Sequence, residues 1–199
     1  MGVLLRVNFF RISLQQIELN HHYYPEMKII AKPAPATIPS FYQPYMNCVP
    51  GDENLIKNLV DILNETEQLV LPLPEEKLIY RYSEGKWTIK DIINHLSDCE
   101  RIITYRALRI ARADKTDLPG FEEESFAKYT NAANRTIQDL LYEFRACRMS
   151  SITFIETMDN EALNRTGTAN GYALSARLLV NHLYGHHRHH LNIIREKYL

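Results

Sequence analysis

Cysteine is scarce: Cys48, Cys99 and Cys147 are odd in number, far apart in 199 residues and never in a CxxC pair, so they supply no disulfide framework. That usage fits a reducing compartment and predicts a cytoplasmic protein. Long apolar runs are also missing. Nothing approaches the ~20 consecutive apolar residues that span a bilayer, so no membrane association is expected. An excess of one charge is lacking too. Lys and Arg total 23 against 24 Asp and Glu, a net charge of -1, and no long-range field would gather nucleic acid. Met1 to Phe10 is mildly apolar, but Arg6 and Arg11 interrupt it and residues 15–20 offer no small-residue cleavage site, so a secretory signal is not expected.

What is present divides near residue 50. Residues 27–50 hold most of the prolines, which fix φ and favour extended backbone, so residues 1–50 are read as an N-terminal extension, partly extended or disordered, ending in an arm over the main domain. Met27 before Lys28 is a candidate start, which would leave residues 1–26 outside the natural protein. Residues 51–199 carry the helical period. From Glu53 to Leu71, Leu55, Leu59, Ile62, Leu63 and Leu69 share a face, after an Asp52 able to cap the first turn. Thr88 and Asp91 resemble a capping box opening a second helix to about Ala113. Pro119 and Gly120 mark a turn, and a short acidic helix is expected over residues 122–129. A third long helix spans about 135–158. Residues 165–174 are rich in turn formers, and Ser175 caps a last helix running to the C-terminus. Four amphipathic helices with no sustained period of two predict an all-α four-helix bundle.

Five of the eight histidines fall within nine residues, His182, His186, His187, His189 and His190. With His186 at zero on a helical wheel, His182 lies at about -40° and His190 at about +40°, on the stripe that carries Leu179, Leu183 and Ile193. Histidines at i and i+4 project from adjacent turns of one face, which lets both reach one ion at about 2.0–2.1 Å. A third ligand has to come from another helix, and His95 is the histidine available in the second one. Buried histidines bonded to neighbours, or a solvated basic helix end, would use the same residues differently. Other metal architectures fit less well. No histidine is followed by Glu, which excludes HExxH, and the only ExxH runs from Glu18 to His21. Three imidazoles without carboxylate or thiolate suit Zn, Ni, Co or Fe(II).

The segments KWTIKDIINHLSDCERIITYRALRIARADKTDLPGF, ANRTIQDLLYEFRACR and GYALSARLLVNHLYGHHRHHLNIIREKYL resemble the DinB superfamily, in particular its YfiT-like branch of metal-dependent hydrolases and thiol transferases. With the spacing between them they cover roughly residues 53–199. The resemblance implies an up-down-down-up four-helix bundle, often a homodimer, with a divalent ion at its centre. Its ligands fall on His95, His186 and His190, in agreement with the helical wheel.

Three protein ligands leave an open coordination position, the mark of a catalytic site. The leading expectation is S-transfer, in which a low-molecular-weight thiol is a co-substrate activated by the ion, and the two that follow are its alternatives. A second is hydrolysis of a small-molecule substrate by a water so activated. A third is a non-catalytic metal-binding stress or interaction protein, whose sphere a fourth ligand such as His182 or His189 would close. Asp98, one turn after His95, is a candidate orienting acceptor or general base, and Glu100 is a weaker one. Arg101, Arg106, Arg109 and Arg112 make the end of the second helix basic, either as a carboxylate site or as a solvated face that Glu122, Glu123 and Glu124 neutralise. Trp87, Tyr105 and Tyr172 are candidate pocket aromatics or packing residues.

Overall fold

The computed structural model describes residues 28–199, so the reading of Met27 as a start and of residues 1–26 as an extension lies outside the described part. In chain order the elements are α1 (Gln43–Asn47), α2 (Leu55–Val70), α3 (Glu75–Leu78), α4 (Ile89–Ala111), α5 (Glu123–Lys128), α6 (Ile137–Glu156), α7 (Asn160–Asn164), β1 (Thr166–Ala169), β2 (Tyr172–Ser175) and α8 (Ala176–Lys197). The four long helices form a bundle in which α4 packs on α6 and α8, and α2 packs on the same two. Successive long helices α2 and α4 therefore lie on a diagonal. No helix among the described residues is long and apolar enough to cross a membrane.

Three of the four long helices start where a side chain satisfies their first amides. At α4 the capping box is complete: Thr88 Oγ1 accepts from the Asp91 amide at 3.0 Å, and Asp91 Oδ2 accepts from the Thr88 amide at 2.9 Å. Thr136 caps α6 and Ser175 caps α8 in the same sense, each accepting from the amide three residues on at 3.1 Å. The start of α2 differs from expectation. Glu53 has φ +59°, a left-handed conformation that cannot open a helix, so α2 begins at Leu55, while Asp52 braces the preceding turn by accepting from Asn54 N and Asn58 Nδ2.

Two further segments depart from the sequence reading. In the proline-rich arm, Pro35 and Pro44 sit in the first turns of a 3-10 helix and of α1, where a proline's missing N–H costs nothing. Ile30, Tyr42, Met46 and Val49 are buried in the same apolar cluster as Leu59, Ile103 and Leu179. Residues 165–174, read as turn formers, fall in a hairpin instead, formed by β1 and β2. Asn170 and Gly171, at φ +50° and +76°, are its two-residue turn, and the carbonyl and amide of Leu118 bond its first strand and turn. The hairpin thereby anchors the loop after α4.

A second apolar cluster, around Leu63, Ile93, Leu140, Phe144 and Ile194, fills the other end of the bundle. On α4 the changeover falls between Leu96 and Cys99, and on α6 between Phe144 and Ile152. Buried polar side chains gather there: His95 and Glu100 on α4, Arg148 on α6, and His186 and His187 on α8.

Candidate metal centre

The capping box fixes the register of α4 two turns before His95, and α8 brings His186 and His190 to the same level of the bundle. The three rings point at one another. His186 Nε2 lies 3.1 Å from His95 Nε2 and 3.1 Å from His190 Nε2, and ligand atoms of all three lie within 4.8 Å of one another. Ligands at about 2.0–2.1 Å from one ion in tetrahedral array stand about 3.3 Å apart, so the spacing found suits a small transition-metal cation. Burial keeps the rings uncharged, the form that ligates. It lowers the His95 pKa to about 4 and, helped by the neighbouring histidines, holds His186 and His190 well below the ordinary value.

The rest of the environment is aromatic on two sides. Trp87 packs on His95 with centroids 4.6 Å apart and stacks on His190 at 6.2 Å, while its indole N–H donates to Glu124 Oε2 at 3.2 Å. From the arm, Tyr45 meets the rings of His182, His186 and His189 at 4.7, 5.7 and 5.3 Å. Cys99 Sγ is 3.5 Å from His95 Nε2, but burial pushes its thiol well up, which keeps it protonated and unsuited to nucleophilic attack. Glu123, at the start of α5, places a carboxylate oxygen within 4.8 Å of both the Cys99 sulfur and a His95 ring nitrogen. The surrounding protein, then the charges of Glu124 and Glu122, push the Glu123 carboxyl up.

The structure brings His95, His186 and His190 together and leaves the other candidates elsewhere. Asp98 accepts from Asn94 Nδ2 at 2.9 Å and pairs with Arg101 at 3.6 Å, so its carboxylate serves the outer side of α4. Glu100 is fully buried and pairs with Arg148 at 2.9 Å. His182 and His189 do not join the three ligand atoms. Of the arginines, Arg101 pairs with Glu143, Arg109 pairs with Asp114, and Arg112 lies over the Phe154 ring. Arg106 alone of the four is buried. Trp87 packs on the histidines, Tyr172 stacks on Phe41 of the arm, and Tyr105 is exposed. Sequence reasoning missed Glu123 and the arm aromatics, because only the folding back of α5 and α1 over α4 and α8 brings them there.

A four-helix bundle that turns three histidines of two helices toward one point is the arrangement to compare with known proteins, and the comparison gives its family. The model of the DinB superfamily matches residues 58–194, and the chain belongs to that superfamily. It is 28% identical over 110 residues to a protein of Geobacillus thermodenitrificans named "Putative metal-dependent hydrolase", a match covering 55% of this chain and 60% of the relative. A protein of Oceanobacillus iheyensis with the same description is 29% identical over 73 residues, 36% of this chain and 42% of the relative. The chain thus spans less than two thirds of the length of these relatives. Among solved structures, YfiT from Bacillus subtilis, described as "a probable metal-dependent hydrolase with an unusual four-helix bundle topology", has a TM-score of 0.66 over 83% of this chain and 91% of that one. At 14% identity this is a likeness of fold.

Proposed function

We propose that His95, His186 and His190 hold one divalent transition-metal ion, Zn, Ni, Fe or Co, and that the protein is a cytoplasmic metal-dependent enzyme acting on a small molecule. The observation that carries this reading is the convergence of three uncharged imidazoles, with His186 Nε2 3.1 Å from both His95 Nε2 and His190 Nε2. Such an ion supplies Lewis-acid polarisation of a carbonyl and acidifies a water or a thiol. Three unpaired cysteines accord with a reducing compartment.

Hydrolysis is the chemistry we favour, since the curated relatives are named as metal-dependent hydrolases and a carboxylate stands beside His95 to serve it. Glu123 can take a proton from an attacking water and return it to the leaving group. Trp87 shields the His95 and His190 edge from solvent and steers Glu124 aside through its indole N–H. Cys99 stays a neutral thiol and fills space. S-transfer from a low-molecular-weight thiol would use the same three histidines, with Glu123 taking the thiol proton.

Elemental analysis of purified wild type, His186→Ala and His190→Ala tests the site: one ion per chain is expected in the first and none in the others, and retention by both variants would reject the assignment. Parallel assays with ester and amide substrates, and with cellular thiols plus a model electrophile such as monochlorobimane, separate the chemistries. Glu123→Gln should keep the ion and lose about 10²-fold or more in turnover.

A further inference from the structure

A cleft of about 350 Å³ opens beside the histidines, with His186 and Cys99 at one end and Arg106 and Phe121 at the other. Cys99 and Arg106 are seven residues apart on α4, about 10 Å of helix, so the cleft is long enough for a small molecule to touch both ends. Its outer wall comes from the arm, Phe41, Tyr42 and Tyr45, which precedes the part of the chain matched by the superfamily. This wall is seated closely: a Cβ on Gly185 of α8 would lie 2.2 Å from the Tyr45 carbonyl oxygen, so only glycine admits α1 here.

Two polar groups in this cleft are unspent. Arg106 is 6% exposed, makes no ion pair among the described residues, and donates one hydrogen bond, from Nη2 to the Pro119 carbonyl at 2.7 Å. The guanidinium also lies 5.9 Å from the Phe121 ring centroid, and of its five N–H donors most are left to take an anion. His182, also 6% exposed, lies between the edges of Tyr42 and Tyr45 at 4.9 and 4.7 Å, and its Nδ1 is buried without a hydrogen-bond partner. The opposite influence comes from the rim, where Glu122, Glu123 and Glu124 line the same cleft and repel a ligand of high negative charge.

We propose that this cleft binds a small organic monocarboxylate, whose carboxylate pairs with Arg106, whose polar middle bonds His182 and whose other end reaches the three histidines. The arm aromatics cover its apolar body and set selectivity. Arg106 and His182 are binding residues, and the rim carboxylates exclude polyanions such as nucleotides. The inference rests on the hydrolase reading for what happens at the histidine end, but not for the recognition of the acid.

The test is calorimetric titration of wild-type protein, metal-free and zinc-loaded, with hippurate, benzoate and N-acetylglycine, with their methyl esters and with phenyl phosphate. At least one acid should bind saturably and about tenfold or more tighter than its ester, with phenyl phosphate weaker than that acid. Arg106→Gln should bind acid and ester alike, and Arg106→Lys should keep part of the preference. Circular dichroism checks that both variants are folded. Equal binding of acids and esters by the wild type, or no saturable binding of any acid, overturns the proposal without recourse to a variant. If zinc fails to bind but acids are still preferred over esters, the metal reading falls and this one stands. If zinc binds one per chain and acids are not preferred, the reverse holds.

Discussion

Residues 186 to 188 are consecutive on α8, yet each ends in a different physical environment. His186 faces two other imidazoles across a gap open to the cleft. His187, about 100° further round, enters a closed network between α2, α6 and α8. There the Thr66 hydroxyl donates to the Ile62 carbonyl, so His187 Nε2–H donates to Thr66 Oγ1 at 2.8 Å, and Nδ1 accepts from Arg148 Nη2 at 3.4 Å. Arg148 in turn pairs with Glu100. Arg188, a further step round, grips Glu65 of α2 with two bonds at 2.7 and 2.8 Å near the surface. Within the interior the lesson lies in the direction of the lone pairs. Around His187 both ring nitrogens find a partner, although Glu100 Oε1 and Arg148 Nε and Nη1 stay buried without one, whereas around His186 three ring nitrogens face one point.

The largest predicted effect breaks the closed network. Arg148→Met leaves Glu100 buried without its cation, and removal of one partner of a buried pair costs about 3–5 kcal/mol. Urea unfolding should show that loss while elemental analysis still finds one ion per chain. If the ion disappears with stability otherwise intact, the two polar regions are not separable as described.

The open cluster should respond in the opposite way. A zinc concentration a thousandfold above its Kd should raise the stability of the wild type by about 4 kcal/mol, and His190→Ala should abolish that gain. Metal-free, His190→Ala should unfold within about 1 kcal/mol of the wild type, because its ring is partly exposed and its Nε2 contacts only another imidazole nitrogen. A large loss in the metal-free variant would mean that these rings are structural.

The open cluster was legible in the sequence and the closed one was not, for a reason of helical phase. His186 and His190 share a face at i, i+4 and His95 is the one histidine on another long helix, so periodicity alone brought them forward. His187 sits at the edge of the stripe, and its partners Thr66, Glu100 and Arg148 come from three other helices with no spacing rule to link them. The bundle itself was readable because leucine and isoleucine stripes and the capping residues at 88 and 175 obey local rules. The hairpin also had a local signal, Asn170-Gly171 between Thr168 and Tyr172, which the density of turn formers obscured. Glu123 read as surface charge and Arg106 as either a carboxylate site or a solvated face, because their meeting place is made by α5 and the arm, whose docking depends on long-range contacts such as Tyr45 on Gly185.

A smaller effect sharpens the assignment of the His187 tautomer. Thr66→Val keeps the shape of a fully buried side chain and removes the oxygen that accepts from Nε2–H, so the loss should be about 1–3 kcal/mol, the cost of an orphaned buried donor. Zinc stoichiometry should not change. In the nitrogen-15 spectrum of labelled histidine, the wild-type His187 signal should have the Nε2–H pattern, and the variant should lose the shift caused by the hydrogen bond.

The smallest effect belongs to the third residue of the series. Glu65 receives Arg188 and also Arg195, and the hydrogen bonds from Arg188, opposed in part by burial, hold its carboxyl below the ordinary 4.5. A depressed carboxylate pKa means that the unfolded chain binds the proton more tightly. The pair therefore stabilises the fold above pH 4.5, and that contribution fades as the pH drops through the lower folded value. Because the side chains are substantially solvated, Glu65→Gln should cost only about 0–1 kcal/mol at neutral pH, less in high salt, and should flatten the acid limb of the stability curve. The same variant should leave zinc content and acid binding unchanged, since Arg188 points away from the face that carries His186. A change in either would show that the outer face of α8 communicates with the inner one, and the division of these three neighbours into separate environments would have to be abandoned.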